Sequence, residues 1–156
     1  MPDAEPKFED RRFDPDLTPF HDLAKQLAGA FGYTADLDLD GKLAQLLRLR
    51  VAQLNTCSYC LILHSKAARD QDIETAKIDN LASWWESDLY SPPERAALAY
   101  CDALTAGKGR DFQPVHDEVA EHFSQKEIAE MAAIVINMNL WTRLKLAQGA
   151  TPVFER

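Results

Sequence analysis

The stretch that opens at Ser124-Gln125-Lys126-Glu127 constrains the fold more than any other. Its serine-to-glutamate spacing is that of a capping box, in which each side chain serves the other residue's backbone N–H. The helix it starts runs to about Gln148 and is almost wholly apolar between Met131 and Leu140. A helix that is apolar on every side must be covered on every side. The reading therefore predicts this helix at the centre of a bundle.

Partners for it are written along the rest of the chain. A helix is predicted after Thr18-Pro19, a cap residue followed by proline at the first helical position. Leu23, Leu27, Ala30 and Phe31 mark its apolar face, with Gly29 and Gly32 near its end, and Asp36–Gly41 reads as a loop. From Lys42 to Leu54, Leu43, Leu46, Leu47, Val51 and Leu54 recur at three- and four-residue steps, so this is an amphipathic helix with Arg48 and Arg50 interspersed. Asn55-Thr56 interrupts it. A further helix begins at the cysteines and runs to about Asp70, another covers roughly Ile73 to Trp84, and Trp84–Tyr90 is a turn with large apolar anchors. Ser91-Pro92-Pro93-Glu94 is a second capping box; its helix turns Ala97, Leu98, Cys101 and Leu104 inward and stops at Gly107-Lys108-Gly109. No segment shows a period-2 run between turn signals, so no strand is predicted. The expectation is all-α: a compact bundle of six to seven helices over residues 17–156, preceded by a charged arm, residues 1–16, that drapes over a neighbour.

Net charge is −8, from 25 acidic and 17 basic residues, without a basic block. That balance disfavours nucleic acid, which calls for a basic stripe. No uninterrupted apolar run approaches the roughly 18 residues of a membrane span, so no membrane partner is expected. The first residues lack the positive and apolar regions of a signal peptide, which predicts a cytoplasmic protein with reduced thiols. Three cysteines, an odd number, fit that setting.

Two of the three lie in Cys57-Ser58-Tyr59-Cys60, and His64 follows. At about 100° per residue, Cys57 and Cys60 differ by roughly 60° around a helix axis and Cys60 and His64 by about 40°. With Thr56 as cap, all three project from one face of the first turns. A helix N-terminus favours thiolate over thiol, and a histidine one turn on can act as base for Cys60. A thiol pair able to close a disulfide suits two-electron redox chemistry. Two other readings stay open on spacing alone. One is a zinc site with Cys57, Cys60 and His64 as three poorly splayed ligands. The other is a pair of buried structural cysteines with a satisfied core histidine. Haem attachment needs histidine directly after the second cysteine, where Leu61 stands.

The segment Leu47-Arg48-Leu49-Arg50-Val51-Ala52-Gln53-Leu54-Asn55-Thr56-Cys57-Ser58-Tyr59-Cys60, followed by His64-Ser65-Lys66-Ala67-Ala68-Arg69, closely resembles the alkylhydroperoxidase D-like proteins of the carboxymuconolactone decarboxylase superfamily. The likeness continues through Trp84, Pro93–Tyr100, Leu104-Thr105, His122-Phe123-Ser124 and Asn139–Leu144, about two thirds of the chain. The resemblance implies an all-helical homo-oligomer (dimer, trimer or hexamer) and a thiol peroxidase or disulfide reductase. It binds no cofactor or metal and needs an external thiol reductant, a dithiol or a protein. By resemblance, Cys60 attacks a hydroperoxide, Cys57, nearer the surface, resolves the sulfenic acid, and His64 relays protons. Two positions depart from the peroxidase prototype: Gln45 replaces a relay glutamate and Tyr59 a histidine. Glutamine exchanges no proton at neutral pH. The competing expectation is therefore a non-catalytic redox-sensing or binding protein on the same scaffold. The decarboxylase branch lacks the C-x-x-C, so that activity is not expected.

Elsewhere, Cys101 reads as a core thiol. His21, His116 and His122 read as surface or capping residues, and Trp84, Trp85 and Trp141 as core or interface anchors. Asn139 and Arg143, four apart on one helix, read as satisfying buried polar groups near the site or a subunit contact. Tyr59 is a candidate hydrogen-bond donor to a peroxide oxygen.

Overall fold

The computed structural model describes residues 4–107 and 112–155. Among them run seven α-helices: α1 Phe20–Phe31, α2 Gly41–Leu54, α3 Ser58–Asp70, α4 Thr75–Asn80, α5 Pro92–Ala106, α6 Phe112–His122 and α7 Gln125–Gln148. The all-α bundle is as expected, and both capping boxes form: Ser91 with Glu94 and Ser124 with Glu127 bond each other's backbone N–H groups. Helix α5 ends against Gly107; Lys108 and Gly109 of the expected stop lie outside the described residues.

The centre is α2 rather than α7. Every residue from Leu43 to Ala52 is buried, and α2 packs against α3, α5 and α7. The two arginines interspersed in it are both covered. Arg50 forks onto Asp102 of α5, Nε to Oδ1 at 2.7 Å and Nη2 to Oδ2 at 3.0 Å, and Asp102 also accepts from the Trp84 indole. Helix α7 buries Met131, Ile134, Val135 and Met138 but leaves Ile136 58% exposed, so it forms a wall.

Helix α1 departs further. Only Ala24 is buried, while Leu23 and Leu27 of the expected inward face are 57% and 41% exposed. The period is that of a helix, but the stripe faces outward. Its cap is Pro19, with Thr18 Oγ1 accepting from Phe20 N at 3.4 Å. The helix expected over Ile73 to Trp84 is split into α4 and a 3-10 segment, Leu81–Glu86, broken at Ser83.

Two short strands were not foreseen. β1, Lys7–Asp10, pairs antiparallel with β2, Ala150–Val153, in the register Phe8↔Pro152 and Glu9↔Thr151. Four-residue strands are too short for alternation to show. Gly149 makes the pairing possible: at φ 76° it ends α7 in the left-handed region and turns the chain into β2. A side chain there would also meet Arg12, 3.0 Å from an added Cβ. Residues of the arm thus lie on the chain's own C-terminal segment, and Phe8 packs edge-on against Tyr59, ring centroids 4.6 Å apart.

Candidate functional site

The corner between α2 and α3 sets the two thiols. Asn55 Nδ2 donates to Asn139 Oδ1 and Thr142 Oγ1 of α7, both at 2.9 Å, which pins the corner to that wall. Asn139 is placed as the sequence implied, but its companion in the network is Thr142; Arg143 is exposed. Thr56 takes φ 49°, so it turns the chain and does not cap the helix. The cap is Cys57, whose sulfur accepts the Cys60 backbone N–H at 3.3 Å. A cysteine in the capping position puts its sulfur where the unpaired N–H groups and the positive end of the helix dipole converge.

Cys57 and Cys60 sulfurs lie 2.8 Å apart and both thiols are free. Neither is surface-borne: Cys57 is 1% and Cys60 2% exposed, so Cys57 is not the more superficial of the two. Cys60 borders a cavity of about 410 Å³, whereas Cys57 lies behind it against Ala52, Tyr59 and Leu61. The Cys57 thiol is lowered to about 7, chiefly by the hydrogen bond from the Cys60 side chain and further by the Cys60 backbone N–H and the Lys145 ammonium, against the effect of burial. Donating that bond, burial and the neighbouring negative charge push the Cys60 thiol up. Above about pH 7 the pair is therefore a Cys57 thiolate accepting from a Cys60 thiol.

His64 also borders the cavity and is buried. Its Nδ1 lies 2.7 Å from the Tyr33 hydroxyl and 3.4 Å from Gln45 Nε2. Three contacts fix the proton. Arg48 can only donate, and its Nη1 faces Gln45 Oε1 at 3.3 Å, so the other end of that amide is NH₂. That NH₂ donates to the His64 carbonyl at 3.0 Å and faces Nδ1. Nδ1 is thus the lone-pair nitrogen, accepting from Tyr33, and Nε2 carries the hydrogen. Burial and the adjacent Arg48 charge push the imidazole down to about 3, so it is neutral across the physiological range. Burial raises the Tyr33 phenol to about 12 and keeps it a donor.

Gln45, fully buried, occupies the position beside His64 that the sequence singled out, and Tyr59 lies in the cavity wall. Tyr33 was missed; it follows the end of α1, 31 residues from His64, and no spacing rule reaches it. From the sequence, Arg48 reads only as interspersed in the amphipathic helix. It is 5% exposed and holds Phe31 O and Gly32 O through Nη2, both at 3.1 Å, so it ties the end of α1 over the site. The zinc alternative has no support in the geometry. The cluster of metal-capable donor atoms within 4.8 Å among the described residues is the exposed Glu118, Glu121 and His122, not Cys57, Cys60 and His64. Cys101 is a core thiol, fully buried near Leu47 O. His21 pairs with Asp16 at 2.6 Å and His122 lies 3.7 Å from Glu118. Trp84 is a core anchor, Trp85 is 49% exposed, and Trp141 lines the cavity.

Residues 21–103, just over half of the sequence, match the Carboxymuconolactone decarboxylase family. The chain belongs to that family. An uncharacterized Bacillus subtilis protein, YdfG, is 29% identical over 118 residues, covering 75% of this chain and 80% of that one. Among solved structures, a protein of unknown function from Agrobacterium tumefaciens, suggested to be the antioxidant defence protein AhpD, superposes with a TM-score of 0.84 at 23% identity, over 94% of this chain and 100% of that one. A peroxidase-related protein of Ralstonia eutropha with an alkylhydroperoxidase AhpD core gives 0.76 at 19% identity, over 88% and 73%. At these identities the structures establish a shared AhpD-like fold. No helix among the described residues is long and apolar enough to cross a membrane.

Proposed function

We propose that this family member is a thiol peroxidase that reduces hydroperoxides through Cys57 and Cys60. The observation that carries the reading is the sulfur pair, 2.8 Å apart at a helix N-terminus, with one sulfur opening on a cavity that His64 also lines. A hydroperoxide entering there meets Cys60. The Cys57 thiolate takes the Cys60 proton across the short contact, and the Cys60 sulfur attacks the terminal peroxide oxygen. The O–O bond breaks and leaves a sulfenic acid on Cys60 and an alkoxide, which takes the proton back from Cys57. His64, with hydrogen on Nε2, donates a hydrogen bond to the peroxide oxygens during this step. The Cys57 thiolate then displaces hydroxide from the Cys60 sulfur, solvent protonates the hydroxide, and a disulfide remains. An external dithiol or protein reductant returns the pair to the reduced state. The sum is one hydroperoxide and two thiols converted to one alcohol, one water and one disulfide.

In this scheme the neighbouring thiolate does the work of a relay carboxylate, and Tyr33 orients His64 in place of one. The exposed apolar face of α1, with Phe20, Leu23 and Leu27, supports a homo-oligomer. The test is to add cumene hydroperoxide to reduced protein and count thiols. Loss of two thiols per chain, one alcohol formed, and no reaction in Cys60→Ser fit the reading. A second reading, a redox sensor, is favoured because, among the described residues, no carboxylate lines the cavity beside Cys60. It predicts a single oxidation that no dithiol reductant turns over.

A further inference from the structure

The cavity beside Cys60 has a charge pattern opposite to that of the chain. The protein carries net charge −8, yet among the described residues the cavity wall contains two cations, Arg48 and Lys145, and no carboxylate. Among the described residues neither cation has an Asp or Glu oxygen within 4.0 Å. Arg48 is 95% covered, and its bonds run to neutral oxygens of Gln45, Phe31 and Gly32. The Lys145 ammonium rests on two aromatic faces, 4.5 Å from the Tyr59 centroid and 5.6 Å from that of Trp141. Asp16, the acid whose charge reaches Lys145, is bonded to His21 instead. A covered cation without a counter-ion costs stability, and aromatic faces offset only part of that cost. Lys145 feels the charge of the Cys57 thiolate but among the described residues has no carboxylate within 4.0 Å, and an anion arriving in the cavity would supply that partner.

The neutral part of the wall narrows what the anion is attached to. Ala28, Leu63, Met138 and Trp141 give it an apolar surface. A volume of about 410 Å³ lies in the range of small-molecule sites, roughly 300–1,000 Å³. The hydrogen on His64 Nε2 adds a donor and no negative charge. Inorganic anions would leave the apolar wall unused, and neutral hydrocarbons would leave the cations unpaired.

We infer that the cavity binds an apolar molecule bearing a carboxylate, with Lys145 as the residue that selects the charge. Resting on the peroxidase reading, this makes the substrate class carboxylate-bearing organic hydroperoxides, such as those of aryl-alkyl or fatty acids. Lys145 then acts on the substrate's charged end as well as on the Cys57 thiol that it helps to lower, so its specificity role is read from probe binding rather than from the rate of thiol oxidation.

The experiment compares two redox-inert probes of the same shape, 4-phenylbutyrate and 4-phenylbutanol, by titration calorimetry on the reduced full-length protein. The carboxylate should bind about tenfold more tightly at low salt and lose that preference as salt rises. Lys145→Met, which keeps the chain lying on Tyr59 and Trp141, should bind the two probes about equally, and Lys145→Arg should keep the preference. Equal affinities in the wild type, no binding of either probe, or a preference unchanged in Lys145→Met would each overturn the inference. The two readings fail separately. Preferential carboxylate binding by a protein that consumes no hydroperoxide sinks the peroxidase and leaves the binding site, while hydroperoxide consumption indifferent to a carboxylate does the reverse.

Discussion

Gln45→Glu places a carboxylate where Gln45 Nε2 now lies 3.4 Å from His64 Nδ1 and where Oε1 faces Arg48 at 3.3 Å. At an effective dielectric of about 20, a unit charge at that distance from an imidazolium is worth about 5 kcal/mol. That equals roughly three and a half decades in proton affinity. Set against a histidine pushed down to about 3 by burial and Arg48, it brings His64 to about 6.5. The proton pattern reverses as well. The introduced carboxylate accepts from Nδ1, Nε2 becomes the lone pair, and His64 turns from a donor into a base facing the cavity. Peroxide-driven oxidation of the thiols should then speed up by about 10²-fold, the usual worth of positioned acid–base assistance. Nitrogen-15 NMR of the histidine ring reads the tautomer and its titration, and stopped-flow reads the rate. If His64 stays neutral with hydrogen on Nε2 down to pH 4, or the rate does not move, the hydrogen-bond reasoning at this site is wrong.

Two further outcomes are expected. In the wild type, thiol oxidation by hydroperoxide should rise with pH through a single midpoint near 7, because the Cys57 thiolate forms there as protons leave. No histidine step should appear between pH 5 and 9, since His64 is already neutral, and a bell-shaped profile would refute the assignment. Asp102→Ala leaves Arg50, whose side chain is only 7% exposed, without its forked partner. It should cost about 3 kcal/mol of stability in denaturant unfolding, and a loss under about 1 kcal/mol would show that the fork is of surface strength.

The helices were legible because their signals are local. Ser91-Pro92-Pro93-Glu94 and Ser124–Glu127 carry their caps within four residues, and both formed as read. What failed depended on the partner rather than the segment. The period of Leu23 and Leu27 defines a stripe without saying which way it turns. Arg48 and Arg50 look like solvent residues until Gln45, the end of α1 and Asp102 are brought to them. At the site, Cys57, Cys60 and His64 could be grouped because one helix carries them. Tyr33 and Lys145 could not, because they arrive from the end of α1 and from α7. The one-residue offset at Thr56, left-handed at φ 49°, moves Cys57 from the first turn to the cap. That shift adds the Cys60 backbone N–H to the Cys60 side-chain hydrogen bond that chiefly lowers the Cys57 thiol.

The most direct measurement is mass analysis of the reduced protein after one equivalent of hydroperoxide, beside Cys60→Ser and Cys57→Ser. The account predicts a Cys57–Cys60 disulfide in the wild type, a sulfenic acid on Cys60 in Cys57→Ser, and an unchanged protein in Cys60→Ser. A Cys60→Ser protein that still consumes hydroperoxide, or wild-type thiols that survive it, would contradict the account at its centre.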